Sequence, residues 1–184
     1  IRDSVYKGQN FKLHATVSDK AGNVKEITSG VFQANFTAPE VNSFQINNTN
    51  LIINSTATVT LVFSVKVIGF DSNDITVPNG TLETMTSNDG ITWTGELTPT
   101  IGVEQTGNVL TLQNQSYTDE ALNPGPGATS TTAYDVDTIR PTITSFTSDQ
   151  TATIDYYKEG DQIVITANTS ENIQQNDEIT VTLD

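Results

Sequence analysis

The chain has 184 residues, 35% of them apolar and 16% charged, which suits a soluble globular protein with room for one large domain or two small ones. A formal net charge of −14 and a pI near 4.1 argue against nucleic acid and anionic lipid as partners and suit cations, above all calcium with its hard oxygen ligands. Cysteine is absent, so disulfides, thiolate zinc sites and cysteine nucleophiles are excluded.

Helical periodicity is almost missing, while alternation with period two runs the length of the chain. "FKLHATV" places Phe11, Leu13, Ala15 and Val17 on one face and Lys12, His14 and Thr16 on the other. "ATVTLVFSVKV" alternates Val59, Leu61, Phe63, Val65 and Val67 in the same way. Further strands are expected at "ITWTGEL", "NVLTLQN", "QIVITAN" and "EITVTL". Turn signals separate these runs: "VPNG" at Val77, "SNDG" at Ser87 and "NPGPG" at Asn123. Threonine, about one residue in six, suits a pleated surface. Many short strands at this spacing predict an all-β sandwich or barrel. The chain opens at Ile1 in mid-pattern and stops at Asp184 straight after a strand-like run, as expected of a piece cut from a longer polypeptide. No apolar run is long enough to cross a membrane as a helix.

The chain also repeats itself. Asp19, Ala21 and Asn23 of "SDKAGN" match Asp119, Ala121 and Asn123 of "TDEALN" at an offset of 100. Phe32, Asn35, Pro39 and Phe44 match Tyr134, Asp137, Pro141 and Phe146 at an offset of 102, with two extra residues in the "NPGPG" loop. A second echo relates Asp74, Ile75 and Val77 to Glu178, Ile179 and Val181. These matches predict three segments: residues 1–38 as the tail of one repeat, 39–140 as a complete repeat, and 141–184 as the head of another. A repeat of about 100 residues has the size of an immunoglobulin-like sandwich.

"FSVKVIGFDSNDITVPNG", "SDKAGN", "TDEALN" and "YDVDTIRPTI", in this order and spacing, resemble the tandem bacterial immunoglobulin-like repeats of large surface adhesins and biofilm-associated proteins. The resemblance covers nearly the whole chain. It implies tandem immunoglobulin-like β-sandwiches forming an extended extracellular rod, with calcium bound at or near the junctions of many such repeats. Two positions depart from the pattern: Leu122 stands where the loop glycine is expected, and Asn35 where the junction aspartate is expected.

In a sandwich of this kind the incoming linker arrives beside two loops of the next domain. For the complete repeat those loops carry Asp71, Asp74 and Asp119, with Glu120 nearby, and the linker brings Asn35 and Glu40. At the following junction the linker carries Asp135 and Asp137, and the facing loop carries Glu171 and Asp177. Calcium takes six to eight oxygens, so these acids are the candidate ligands, and bound calcium would stiffen a hinge. A weaker site is expected at Asn35, because an amide supplies no charge. The other reading is that these acids are turn residues facing solvent.

His14, the only histidine, falls on the polar face of its strand and is expected to face solvent. Trp93, the only tryptophan, is expected in the core between sheets. The sequence therefore predicts a non-enzymatic extracellular spacer on the bacterial cell surface, supporting cell adhesion or biofilm formation. Its partners would be neighbouring repeats and calcium, with no nucleic acid and no membrane insertion. The alternative is an accessory or carbohydrate-binding module of a secreted polysaccharide-degrading enzyme.

Overall fold

The run from Ala57 to Phe63 forms the spine of the molecule (β7), and its alternation is realised residue by residue. Ala57, Val59, Leu61 and Phe63 are buried, while Thr58 between them faces solvent. The computed structural model describes residues 9–113, 115–126, 129–149, 159–160 and 162–173, and no α-helix occurs among them. The chain divides into two units, Ile1–Thr138 and Ile139–Asp184.

In the first unit β7 lies between β5 (Val41–Ile46) and β11 (Thr92–Pro99), and β10 (Gly80–Leu82) completes an antiparallel four-stranded sheet. Its inner face meets shorter strands. These are β6 (Asn50–Ile52), β12 (Glu104–Asn108) and β16 (Tyr134–Asp137) in one sheet, and β9 (Ile75–Thr76), β13 (Thr111–Leu112) and β15 (Thr129–Ser130) in another. A two-stranded piece, β8 (Val67–Ile68) with β14 (Thr118–Asp119), closes one end. β16 pairs antiparallel with β12 and parallel with β6, setting Val136 beside Leu51.

One cluster fills the space between, including Phe44, Leu51, Leu61, Leu97, Leu110 and Tyr117. Each fully buried Leu or Phe side chain contributes about 1.5–3 kcal/mol. This is an all-β, immunoglobulin-like sandwich. Trp93 packs against the cluster, its ring meeting Phe70 edge-on at 4.9 Å. Tyr134 is buried, and its hydroxyl donates to the Pro78 carbonyl at 2.6 Å.

Ahead of the sandwich, β1 (Asn10–Phe11) pairs with β4 (Phe32–Gln33), and β2 (His14–Ser18) pairs with β3 (Val24–Thr28). Every residue of β2 and β3 is exposed. The backbone here has a counterpart inside the sandwich. Leu13 and Ser29 exchange two bonds, Leu13 N–H to Ser29 Oγ and Ser29 N–H to Leu13 O. Leu110 and Thr131 exchange the same two. His14 bonds across to Thr28, at 3.0 Å, as Thr111 does to Ser130 at 3.1 Å. Yet Leu110 has no exposed surface, whereas Leu13 is 67% exposed. The local pairing is the same; what differs is a sheet to cover it.

The second unit shows the same relation at the other end of a sandwich. β17 (Ile143–Ser148) pairs with β18 (Ile165–Thr169) in the register of β5 with β7, including a shift after the first residue pair. Val41 with Phe63 corresponds to Ile143 with Thr169, and Ile46 with Val59 to Ser148 with Ile165. The two bonds that tie Glu40 to Ser64 recur between Thr142 and Ser170. Ile143, Phe146 and Ile165 are exposed. The expected strand "EITVTL" and the echo at Glu178, Ile179 and Val181 lie outside the described residues.

Candidate functional site

The loop that follows β14 is organised by one carboxylate. Asp119 Oδ1 accepts the backbone N–H groups of Ala121 and Asn123, both at 2.9 Å, and the Asn123 side-chain amide donates to Asp119 Oδ2 at 2.9 Å. Aspartate favours such turns because its short side chain reaches the backbone two residues ahead. Two backbone bonds close the loop, Asp119 N–H to Asn123 O and Leu122 N–H to Asp119 O. The turn needs a left-handed residue: Leu122 sits there at φ 63°, and Gly22 occupies the same place in the first copy at φ 88°. The loop at Asp19 makes the same bonds, to Ala21 N–H at 2.9 Å, Asn23 N–H at 2.8 Å and the Asn23 amide at 2.7 Å. The Asn23 side chain and backbone bonds hold the Asp19 carboxyl below its ordinary pKa.

At Asp119 the incoming linker is added to this loop. Asn35 turns its own segment by accepting Thr37 N–H on Oδ1 at 3.0 Å, and its Nδ2 donates to Asp119 Oδ2 at 3.0 Å. The Asn123 amide in turn reaches the backbone carbonyls of Asn35 and Thr37 at 3.1 and 3.3 Å. Two residues later Pro39 is fully buried, and Glu40 N–H donates to Ser64 Oγ at 2.8 Å. Asp119 is 2% exposed, so the carboxylate at the centre of this network is buried, while Asn35 on its rim is exposed.

The remaining acids have separate partners. Asp71 and Asp74 cap the 3-10 turn Ser72–Asp74 reciprocally, each carboxylate accepting the other's backbone N–H. Glu120 pairs with Lys66 at 2.8 Å. Asp135 accepts Gly107 N–H at 2.8 Å, holding the irregular turn of β12 where Gly107 adopts φ 72°. Asp137 is exposed at the end of β16, directly opposite Glu104. Thr138, buried beside it, ties the strand end to the turn before β12 through Thr100 O and Val103 N–H. Glu171 belongs to the second unit, where its backbone carbonyl accepts the Thr169 hydroxyl. Asp177 lies outside the described residues.

This donor set bears on calcium. A carboxylate has about four lone-pair sites, and Asp119 faces four N–H donors, so no oxygen is left to ligate a cation. The Asn35–Asp119 seam therefore does not fit calcium. Among the described residues no three His, Asp or Glu side chains converge as a metal site. Asn123 and Thr138 are the seam residues that sequence reasoning did not assign a role, although Asn123 was visible in the recurring Asp-x-Ala-x-Asn spacing.

Residues 35–136 match the profile of the bacterial Ig-like domain. The chain belongs to the bacterial Ig-like domain family. The matched span starts at Asn35, so it takes in both the linker residue and the loop that receives it. Bacterial Ig-like domains are typically non-catalytic structural domains and are often on the cell surface or extracellular. No curated protein and no solved structure matches the chain significantly. Among the described residues no helix is long and apolar enough to cross a membrane.

Proposed function

We propose that this bacterial Ig-like chain is a non-catalytic spacer of a large adhesin on the bacterial cell surface, supporting cell adhesion or biofilm formation. Its partners in that role are neighbouring repeats of the same polypeptide. The observation that carries the reading is the recurrence of local structure. The shifted register of β5 with β7 recurs in β17 with β18, and the bonds of the Asp119 loop recur at Asp19. A chain copied to this level of detail suits a scaffold in which each copy adds length rather than chemistry. The net charge of −14 helps keep such an array soluble and apart from its neighbours.

Calcium belongs in this proposal at the seam after Thr138. Asp137 stands where Asn35 stands one repeat earlier, and so brings a carboxylate where the first seam has an amide. A cation held there by the Asp137 carboxylate and further oxygens would remove hinge freedom. The test is thermal melting, in calcium and in chelator, of a longer chain holding two complete repeats around Tyr134–Thr138. A calcium-dependent rise in melting temperature, abolished by Asp137→Asn, is expected. Identical curves would sink the calcium reading.

A further inference from the structure

We infer that the Asp-x-Ala-x-Asn loop is a socket for the linker entering its own domain, and that Asn35 is the key that closes the socket by hydrogen bonds alone. The two copies of the loop make the comparison within one molecule. Both contain the same internal bonds, and among the described residues the Asp19 loop has them with no linker bound to it. At Asp119 three more bonds appear, all to the segment Asn35–Thr37. They use what the loop itself leaves unused, namely the second site on Oδ2 and the second hydrogen of the Asn123 amide.

Asn35 is suited to this by having both an acceptor and a donor on a short side chain. Its carbonyl end makes the turn to Thr37, and its amide end meets the loop carboxylate. Alanine would supply neither bond. Aspartate would keep the turn but set a second carboxylate about 3 Å from Asp119, where like charges repel. The residue at this position therefore decides how a seam is held. With an amide it needs no cation, and this holds whether or not the next seam binds calcium.

Double electron–electron resonance on the full chain tests the socket, and the absence of native cysteine allows clean labelling. Nitroxides go at Lys25→Cys and Thr98→Cys, both exposed, one ahead of the linker and one on the sandwich. The parent should give a narrow distance distribution in chelator, unchanged by calcium. Asn35→Ala and Asn35→Asp should each lose the narrow peak in chelator, while Asp19→Asn should keep it. Urea unfolding followed at Trp93 confirms that the sandwich of each variant is folded. A parent distribution that is broad in chelator and narrows with calcium would overturn the proposal. So would an Asn35→Ala distribution as narrow as the parent's.

Discussion

Leu110 and Leu13 hold the same place in two copies of one hydrogen-bonding pattern, and only one of them is covered. Leu110→Ala removes a side chain with no exposed surface, at a cost of about 3–4 kcal/mol in lost transfer energy and a residual cavity. Leu13 is 67% exposed, so the same change there removes about a third of that burial, or roughly 0.5–1 kcal/mol locally. Urea unfolding read by Trp93, the only tryptophan and a neighbour of the core, separates the two. With a slope of roughly 1.5 kcal/mol per molar urea for a domain of this size, Leu110→Ala lowers the midpoint by about 2 M. Leu13→Ala leaves the Trp93 midpoint nearly unchanged. Equal shifts would refute the claim that residues 9–33 lack the covering sheet and that the sandwich after Pro39 carries the core.

The two buried tyrosines should respond differently to loss of the hydroxyl. Tyr134→Phe breaks the bond to Pro78 O and leaves that carbonyl unpaired, costing about 1–3 kcal/mol in the same urea assay. The Tyr117 hydroxyl is buried without a hydrogen-bond partner, so Tyr117→Phe should be neutral or stabilising by up to about 1 kcal/mol; the reverse order would contradict this. Leu122 occupies a left-handed conformation while 75% exposed, so Leu122→Gly should relieve about 1 kcal/mol of strain and raise the melting temperature by a few degrees. A lowered melting temperature would count against the loop geometry.

Burial pushes both phenols up to about 12, and the nearby Asp74 charge adds to the effect at Tyr117. The unfolded chain loses these protons near the ordinary pKa of 10.0. Native stability is therefore whole below that pH and falls as pH rises through about 12. Ultraviolet titration of the phenolates should show two late tyrosines, and their ionisation near 10 would contradict the burial.

Much of the fold was legible in the sequence because a half-buried strand alternates by necessity. Val59, Leu61, Phe63, Val65 and Val67 were assigned to one face from spacing alone; the structure buries Val59, Leu61, Phe63 and Val67, while Val65 is 43% exposed because the strand ends at Phe63 and the alternation lapses beyond it. The repeated loop was legible because its turn chemistry is local: Asp119, Ala121 and Asn123 lie within five residues of one another. The covering of each strand was not legible, because Leu13 and Leu110 make the same hydrogen bonds in their hairpins and differ in whether a distant sheet covers them. The partners of the site residues were not legible. Sequence reasoning brought Asp71, Asp74 and Asp119 together as acids, but each carboxylate engages backbone N–H groups within four residues. Spacing placed Asn35 at the seam as a weaker calcium position, but it cannot show which end of an amide faces the loop. Its nitrogen, not its oxygen, points at Asp119.

The spacer reading is tested most directly by small-angle X-ray scattering from chains of one, two and three complete repeats in calcium. A stiff array predicts that each added repeat lengthens the maximum dimension by the same increment. It also predicts that chelator shortens chains whose seams carry aspartate at the position of Asp137. Dimensions that grow more slowly with each added repeat in calcium, as in a flexible string of beads, would contradict the account.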